Sequence, residues 1–178
     1  MSATAKSCIA GLLEHIGAIT AVANPLVNSY KRLVSGSEAP VHVAWASRNR
    51  SPLIRVPATR GEDTRIELRS PDPACNPYLT LAAILAAGMD GIRRGLTPPA
   101  PVEGNINHMS QTERDTLGIG SLPASLIDAV GALKADQLIL DALGPHIAAK
   151  FIQAKTREWE EYRDTVHQWE LDKYLRTY

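Results

Sequence analysis

Cysteine is scarce: Cys8 and Cys75 are the only two in 178 residues, far apart and without CxxC spacing. That argues against a disulfide framework or a cysteine zinc site and suits a reducing cytosol. Net charge is missing too, with 19 Lys plus Arg balancing 19 Asp plus Glu. No whole-molecule field therefore draws the chain to nucleic acid or to an anionic membrane, and any basic site must be local. No apolar run reaches the roughly 18 residues that suggest a membrane span. The alanine-rich stretch from Leu79 to Ala87 falls well short of that length. The N-terminus has no basic head, apolar run and small-residue cleavage site of a secretory signal, and the chain carries neither an internal repeat nor a low-complexity segment. Five histidines, at 15, 42, 108, 146 and 167, show no mutual spacing suited to metal ligation, so each is expected to be a surface or packing residue. These absences describe a cytoplasmic protein without a membrane or nucleic-acid partner.

What is present is ordinary for a globular protein, with 44% hydrophobic and 21% charged residues. At this length one compact domain is expected. Ile9, Leu12, Leu13 and Ile16 recur at helical spacing, so residues 3–19 read as an amphipathic helix already in progress, which suggests a truncated parent. Asn24-Pro25 can cap and start a short helix through Tyr30 and Leu33, followed by a loop over residues 34–40. Between Val41 and Arg69 the pattern changes to three short strand-like runs, around 41–45, 53–56 and 64–69, punctuated by Pro52, Pro57 and Gly61. A buried alanine- and leucine-rich helix is expected over 78–94, ended by Gly95. A polar surface excursion follows from Pro99 to Ser121, with a short helix near 111–117. Helical segments over 123–133, 136–143, 145–164 and 169–175 complete the chain. The predicted class is α+β: short antiparallel strands within residues 41–69, packed with several helices, and a mostly helical C-terminal half.

The chemistry concentrates between Lys31 and Arg69, where arginines stand at 32, 48, 50, 55, 60, 65 and 69 in a chain of balanced charge. In Thr64-Arg65-Ile66-Glu67-Leu68-Arg69, alternation puts Ile66 and Leu68 on one face and Arg65, Glu67 and Arg69 on the other. Planar guanidinium forks bind phosphate and carboxylate oxygens, and a glutamate between two forks can hold a hard cation that bridges phosphates. Taken alone, such a strand reads more simply as exposed ion pairs worth under about 1 kcal/mol. The second cluster, Ser47-Arg48-Asn49-Arg50-Ser51 with Arg55, favours a single basic wall for a metal–nucleotide or a phosphorylated acid. Glu38, in a loop with Gly36 and serines, suits a lid that closes over such a site.

These residues fall in an ordered set of motifs. Asn24-Pro25, Asn28-Ser29-Tyr30-Lys31-Arg32-Leu33, Gly36 and Glu38-Ala39-Pro40 resemble the glutamine synthetase segment that runs into its glutamate flap. Arg48-Asn49-Arg50-Ser51, Ile54-Arg55, Arg65-Ile66-Glu67-Leu68-Arg69, Pro71-Asp72-Pro73 and Asn76-Pro77-Tyr78 resemble the next blocks, in the same order. The resemblance spans nearly the whole chain and is nearest to the bacterial class-I enzymes. It implies that residues 1–178 are the C-terminal part of the catalytic domain, with an N-terminal β-grasp domain and the first part of the catalytic domain absent. The implied reaction uses ATP to phosphorylate the glutamate γ-carboxylate, after which ammonia attacks the acyl phosphate, with Mg2+ or Mn2+ as the metal. By motif, Arg32 would bind glutamate, Glu38 would be the catalytic flap acid, and Arg50 would steady the transferring phosphoryl group. Arg55 and Arg65 would hold ATP phosphates, Glu67 would ligate the metal, and Arg69 would contact glutamate or its phosphorylated form. The implied assembly is a homo-oligomer of stacked rings.

The chain departs from the family pattern in the flap, where Ser35 and Ser37 replace the usual proline and aromatic residue, and at Asn107, which stands where some class-I enzymes have an adenylylated tyrosine. That form of control is therefore expected to be absent. Trp159, Tyr162 and Trp169 read as core or subunit contacts. With Glu67 as the one remaining metal ligand of the family set, the 178-residue chain alone is expected to be inactive. The alternatives are a ligase joining glutamate to another amine, and a non-catalytic binding or oligomerisation module; the retained arginine comb counts against the second.

Overall fold

In the computed structural model, which describes residues 1–36, 39–59 and 61–177, the first helix starts where Ser2 accepts a hydrogen bond from Ala5 N at 3.1 Å. Helix α1 covers Ala3–Glu14 and α2 covers Ile16–Ala23, with the axis bent by 72° between them. The single helix expected over 3–19 is thus two, broken at His15, whose ring faces the carboxylates of Asp90 and Asp136. Nearly all of α2 is buried. Among the described residues no single helix is long and apolar enough to cross a membrane, and only the bent α1–α2 pair passes on length and composition. The short helix α3 (Ser29–Arg32) follows the Asn24-Pro25 corner.

Among the described residues the sheet has four short strands, β1 (His42–Ala46), β2 (Pro52–Arg55), β3 (Glu67–Leu68) and β4 (Gly120–Ser121), in the order β3-β2-β1-β4. The α+β class and the helical C-terminal half hold, but the strands are not all antiparallel. β1 and β2 run parallel, with Trp45 opposite Ile54 and Ala46 opposite Arg55, whereas β2–β3 and β1–β4 are antiparallel. A parallel return needs chain to spare: five extended residues reach up to about 17 Å, against roughly 13 Å for a four-residue strand. Residues 47–51 are therefore drawn back along the sheet instead of turning tightly, and the Glu103 side chain with backbone groups of Val102, Gly104 and Ile106 holds them there. The predicted 64–69 strand shrinks to Glu67–Leu68 after a 3-10 turn at Gly61–Asp63. The glycine-containing β4 carries no strand signal in its own residues, and pairing with β1 creates it.

Helix α4 (Pro77–Arg94) begins as its sequence dictates. Asn76 accepts from the backbone N–H groups of Tyr78 and Leu79, and Pro77 occupies the first turn. It ends at Gly95, which takes a left-handed φ of 62° while Leu96 N bonds back to Gly91 O. Contrary to expectation, α4 is not buried all round. Thr80, Ala83, Ala87, Gly88 and Gly91 face the core, while Tyr78, Leu81, Leu85 and Met89 form an exposed apolar stripe. The small residues let α1 lie directly on α4: a Cβ on Gly11 would come within 2.7 Å of Gly91 N, and one on Gly91 within 2.7 Å of Gly11 N.

Helix α5 (Gln111–Thr116) closes the excursion that begins at Pro99. Helices α6 (Leu126–Ala135), α7 (Gln137–Leu143), α8 (Pro145–Asp164) and α9 (Gln168–Tyr174) follow. The main core joins Ile9, Ile19 and Val22 to Leu53 and Ile54 of the sheet and to Leu126, Leu133 and Ile139. A second, smaller core of Ala44, Ile106 and Ile119 lies beneath the excursion and ties it to the other face of β1.

Candidate functional site

β2 and β3 set the chemistry by their register, which places Arg55 directly opposite Glu67. Arg55 Nη1 donates to Glu67 Oε2 at 3.1 Å, and Arg65 donates from Nε to Oε1 at 2.9 Å, with its Nη2 at 2.7 Å from the same oxygen. Burial raises the Glu67 pKa, but the hydrogen bond from Arg65 and the charges of Arg55 and Arg65 outweigh it, so the carboxyl is held below its ordinary value. Ile66 and Leu68 pack against the main core, which leaves the charged side of the strand to the site.

Beside this cluster lies a cleft of about 490 Å³ lined by Pro40, Asn49, Arg50, Ser51, Arg69, Asn105 and Asn107. Arg69 Nη1 donates to the Arg50 carbonyl, and Arg69 N donates to Leu53 O at 3.1 Å, so Arg69 spans from the sheet to the 47–51 loop. Burial first, then the charges of Arg55 and Arg50, push the Arg69 pKa below its ordinary value, against a partial counterweight from Glu67. The charges of Arg50 and Arg55 thus press on Arg69 at a polar cavity whose described lining residues include no carboxylate. An anionic ligand relieves that repulsion, and asparagine amides and a serine hydroxyl supply neutral hydrogen bonds for orientation.

Of the residues singled out in the sequence, Arg50 and Arg69 meet in this cleft and Arg55, Arg65 and Glu67 form the ion-pair cluster next to it. Arg32, at the end of α3, lies apart from the cleft lining: its Nη2 donates to Asn24 Oδ1 at 2.8 Å and to Ser70 O at 2.5 Å, and its Nε is 3.8 Å from Asp72. Glu38, the proposed flap acid, lies outside the described residues, as do Ser37 and Arg60; Pro40, two residues beyond Glu38, lines the cleft. Sequence reading missed Asn105 and Asn107 as site residues. Their signal was the polar Gly104-Asn105-Ile106-Asn107 run, in which Ile106 is the one apolar residue and is fully buried. His42 is buried on β1, its pKa lowered by burial and by the charge of Arg114, partly offset by Asn107.

No group of three or more His, Cys, Asp or Glu suited to a metal ion occurs among the described residues. With both Glu67 oxygens on arginines, these side chains do not by themselves make a metal site, and Glu67 fits only as one ligand of a site completed by other residues.

A family model described as the glutamine synthetase catalytic domain matches residues 1–174. Glutamine synthetase from Thermus thermophilus is 57% identical over 178 residues, covering all of this chain and 40% of the relative. The protein of that name from Methanocaldococcus jannaschii is 54% identical over 175 residues, covering 98% and 38%. Among solved structures, a chain described as a GmaS/ADP complex superposes with a TM-score of 0.87 at 39% identity, covering 99% of this chain and 40% of that one. The chain spans about 40% of the length of the curated relatives it matches.

Proposed function

Since the chain belongs to the glutamine synthetase catalytic-domain family, we propose that it supplies the C-terminal part of the catalytic domain of an ATP-dependent glutamate–ammonia ligase. The observation that carries this reading is the convergence of Arg50 and Arg69 in one amide-lined cleft beside the Arg55–Glu67–Arg65 cluster. ATP phosphorylates the glutamate γ-carboxylate and ammonia then displaces phosphate from the acyl phosphate. Charge spreads over phosphoryl oxygens along this path, so fixed guanidinium groups are what the site has to provide.

In this reading Arg50 steadies the transferring phosphoryl group and Arg69 contacts glutamate or its phosphorylated form. Arg55 and Arg65 hold ATP phosphates, and Glu67 would be one ligand of a Mg2+ or Mn2+ ion, whose charge would offset that of the phosphates. Arg32, aimed by Ser70 O and Asn24, binds the glutamate substrate, and Glu38 takes the ammonium proton. The exposed stripe of Tyr78, Leu81, Leu85 and Met89 on α4 supports a domain that packs against further protein, with a homo-oligomer of stacked rings as the assembly. Balanced charge and two free cysteines support a cytoplasmic setting.

The test is glutamine formation by the full-length gene product with ammonia and with a panel of amines. Glutamine from ammonia is expected, with Arg50→Ala or Arg69→Ala lowering kcat/KM by about 10²-fold or more. Product with another amine alone would make the protein a glutamate–amine ligase. No product from a folded protein would leave a binding or oligomerisation module.

A further inference from the structure

The 47–51 loop carries Arg50 into the cleft, yet it has no regular secondary structure and bears two like charges, Arg48 and Arg50, both exposed. Left alone, such a loop would sample many conformations, and its backbone N–H groups would need outside acceptors. For Ser47 and Arg48 both acceptors come from one side chain. Glu103 Oε1 accepts from Ser47 N at 3.0 Å and Oε2 accepts from Arg48 N at 3.1 Å. A second clamp follows at once: Asn49 Nδ2 donates to the carbonyls of Gly104 and Val102, and Asn49 Oδ1 accepts from Ser51 N at 2.9 Å. Ser51 Oγ in turn accepts from Ile106 N at 3.0 Å.

The strap that does the holding is itself fixed. Val102 N donates to Trp45 O at 2.9 Å, and the Trp45 indole donates to Pro99 O at 2.7 Å. Ile106 is fully buried in the small core with Ala44 and Ile119. Glu103 does not line the cleft, whereas Arg50, two residues beyond the N–H groups it binds, does. Arg50 is thus held through its neighbours Asn49 and Ser51 and through its own carbonyl, which accepts from Arg69.

We propose that Glu103 is a positioning residue of the ligase site, clamping the 47–51 backbone so that Arg50 meets the anionic reactant without first having to be ordered. The proposal rests on the ligase reading. Preorganisation of a charged group counts because a misplacement of about 1 Å can cost on the order of 10²-fold in rate. A glutamine at 103 offers one carbonyl oxygen where the carboxylate offers two, and turns an N–H towards a backbone N–H.

The experiment uses the full-length gene product and its Glu103→Gln and Glu103→Asp variants, with two readouts. Trypsin reads the clamp, since Arg48 and Arg50 are exposed cleavage sites whose backbone can open to fit a protease only when the loop is released. Steady-state kinetics read its consequence. For Glu103→Gln we expect cleavage after Arg48 and Arg50 to quicken about tenfold. We expect kcat for glutamine formation to fall by ten- to about a hundredfold, the KM for ATP to stay put, and Glu103→Asp to recover part of both losses. An unchanged cleavage rate overturns the clamp, and a freed loop with unchanged kcat overturns the positioning role. A wild-type protein that makes no glutamine sinks the ligase reading instead, and the trypsin arm still decides the clamp.

Discussion

Each ring nitrogen of His15 faces a carboxylate, Nδ1 at 2.7 Å from Asp136 Oδ2 and Nε2 at 3.2 Å from Asp90 Oδ2. A neutral imidazole has a single N–H, so this geometry favours the doubly protonated ring. Burial lowers the His15 pKa, and the hydrogen bonds to Asp136 and Asp90 more than reverse it, leaving a net rise. Arg94 bridges Asp90 and Glu14, at 2.8 and 2.7 Å, and completes the charges around the ring. A group whose folded pKa lies above its unfolded value of about 6.5 stabilises fully below that pH, and the contribution is lost as pH rises through the folded pKa. The melting temperature of His15→Leu should therefore trail the parent by on the order of 5 °C near pH 6, with the gap shrinking towards pH 9. A gap that widened with pH would show that the ring is held neutral.

At the scale of elements, glycine placement decides how closely two helices approach. On an isolated helix Gly→Ala stabilises by about 1 kcal/mol. Here α1 and α4 touch backbone to backbone through Gly11 and Gly91, and a new Cβ on either meets main-chain atoms that cannot step aside. Gly91→Ala should instead destabilise by about 1–3 kcal/mol or more, seen as a lower denaturation midpoint. Gly88, whose Cβ would meet only the Cys8 Sγ at 2.8 Å, should tolerate alanine far better. A stable Gly91→Ala protein would mean that the two helices can separate at little cost.

At the scale of the whole molecule, charge is balanced overall and cationic locally, with Arg50 and Arg69 meeting in one cleft. The described residues bury a continuous core that joins helices to the sheet, while the α4 stripe remains uncovered and no group of three or more possible metal-ligating side chains occurs among them. Expressed alone, the chain is expected to unfold cooperatively yet to form no glutamine. Turnover by the isolated chain near that of the full-length protein would refute the reading that its site is completed elsewhere.

The sequence by itself determined most of the helices, because caps such as Asn76, stops such as Gly95 and apolar spacing act locally. It also marked Arg55, Arg65, Glu67 and Arg69 as a charged cluster, although the alternation behind that reading holds as strand only at Glu67–Leu68. Tertiary structure alone decided that β1 and β2 run parallel, that α4 buries only its small-residue face, and that the 99–110 excursion forms a wall of the cleft. Each of these depends on what another segment supplies across the fold: Glu103 with the Val102 and Gly104 carbonyls to hold the return loop, Gly11 to meet Gly91, Ile106 to anchor the strap. Such partners lie tens of residues apart in sequence, where no local pattern records them.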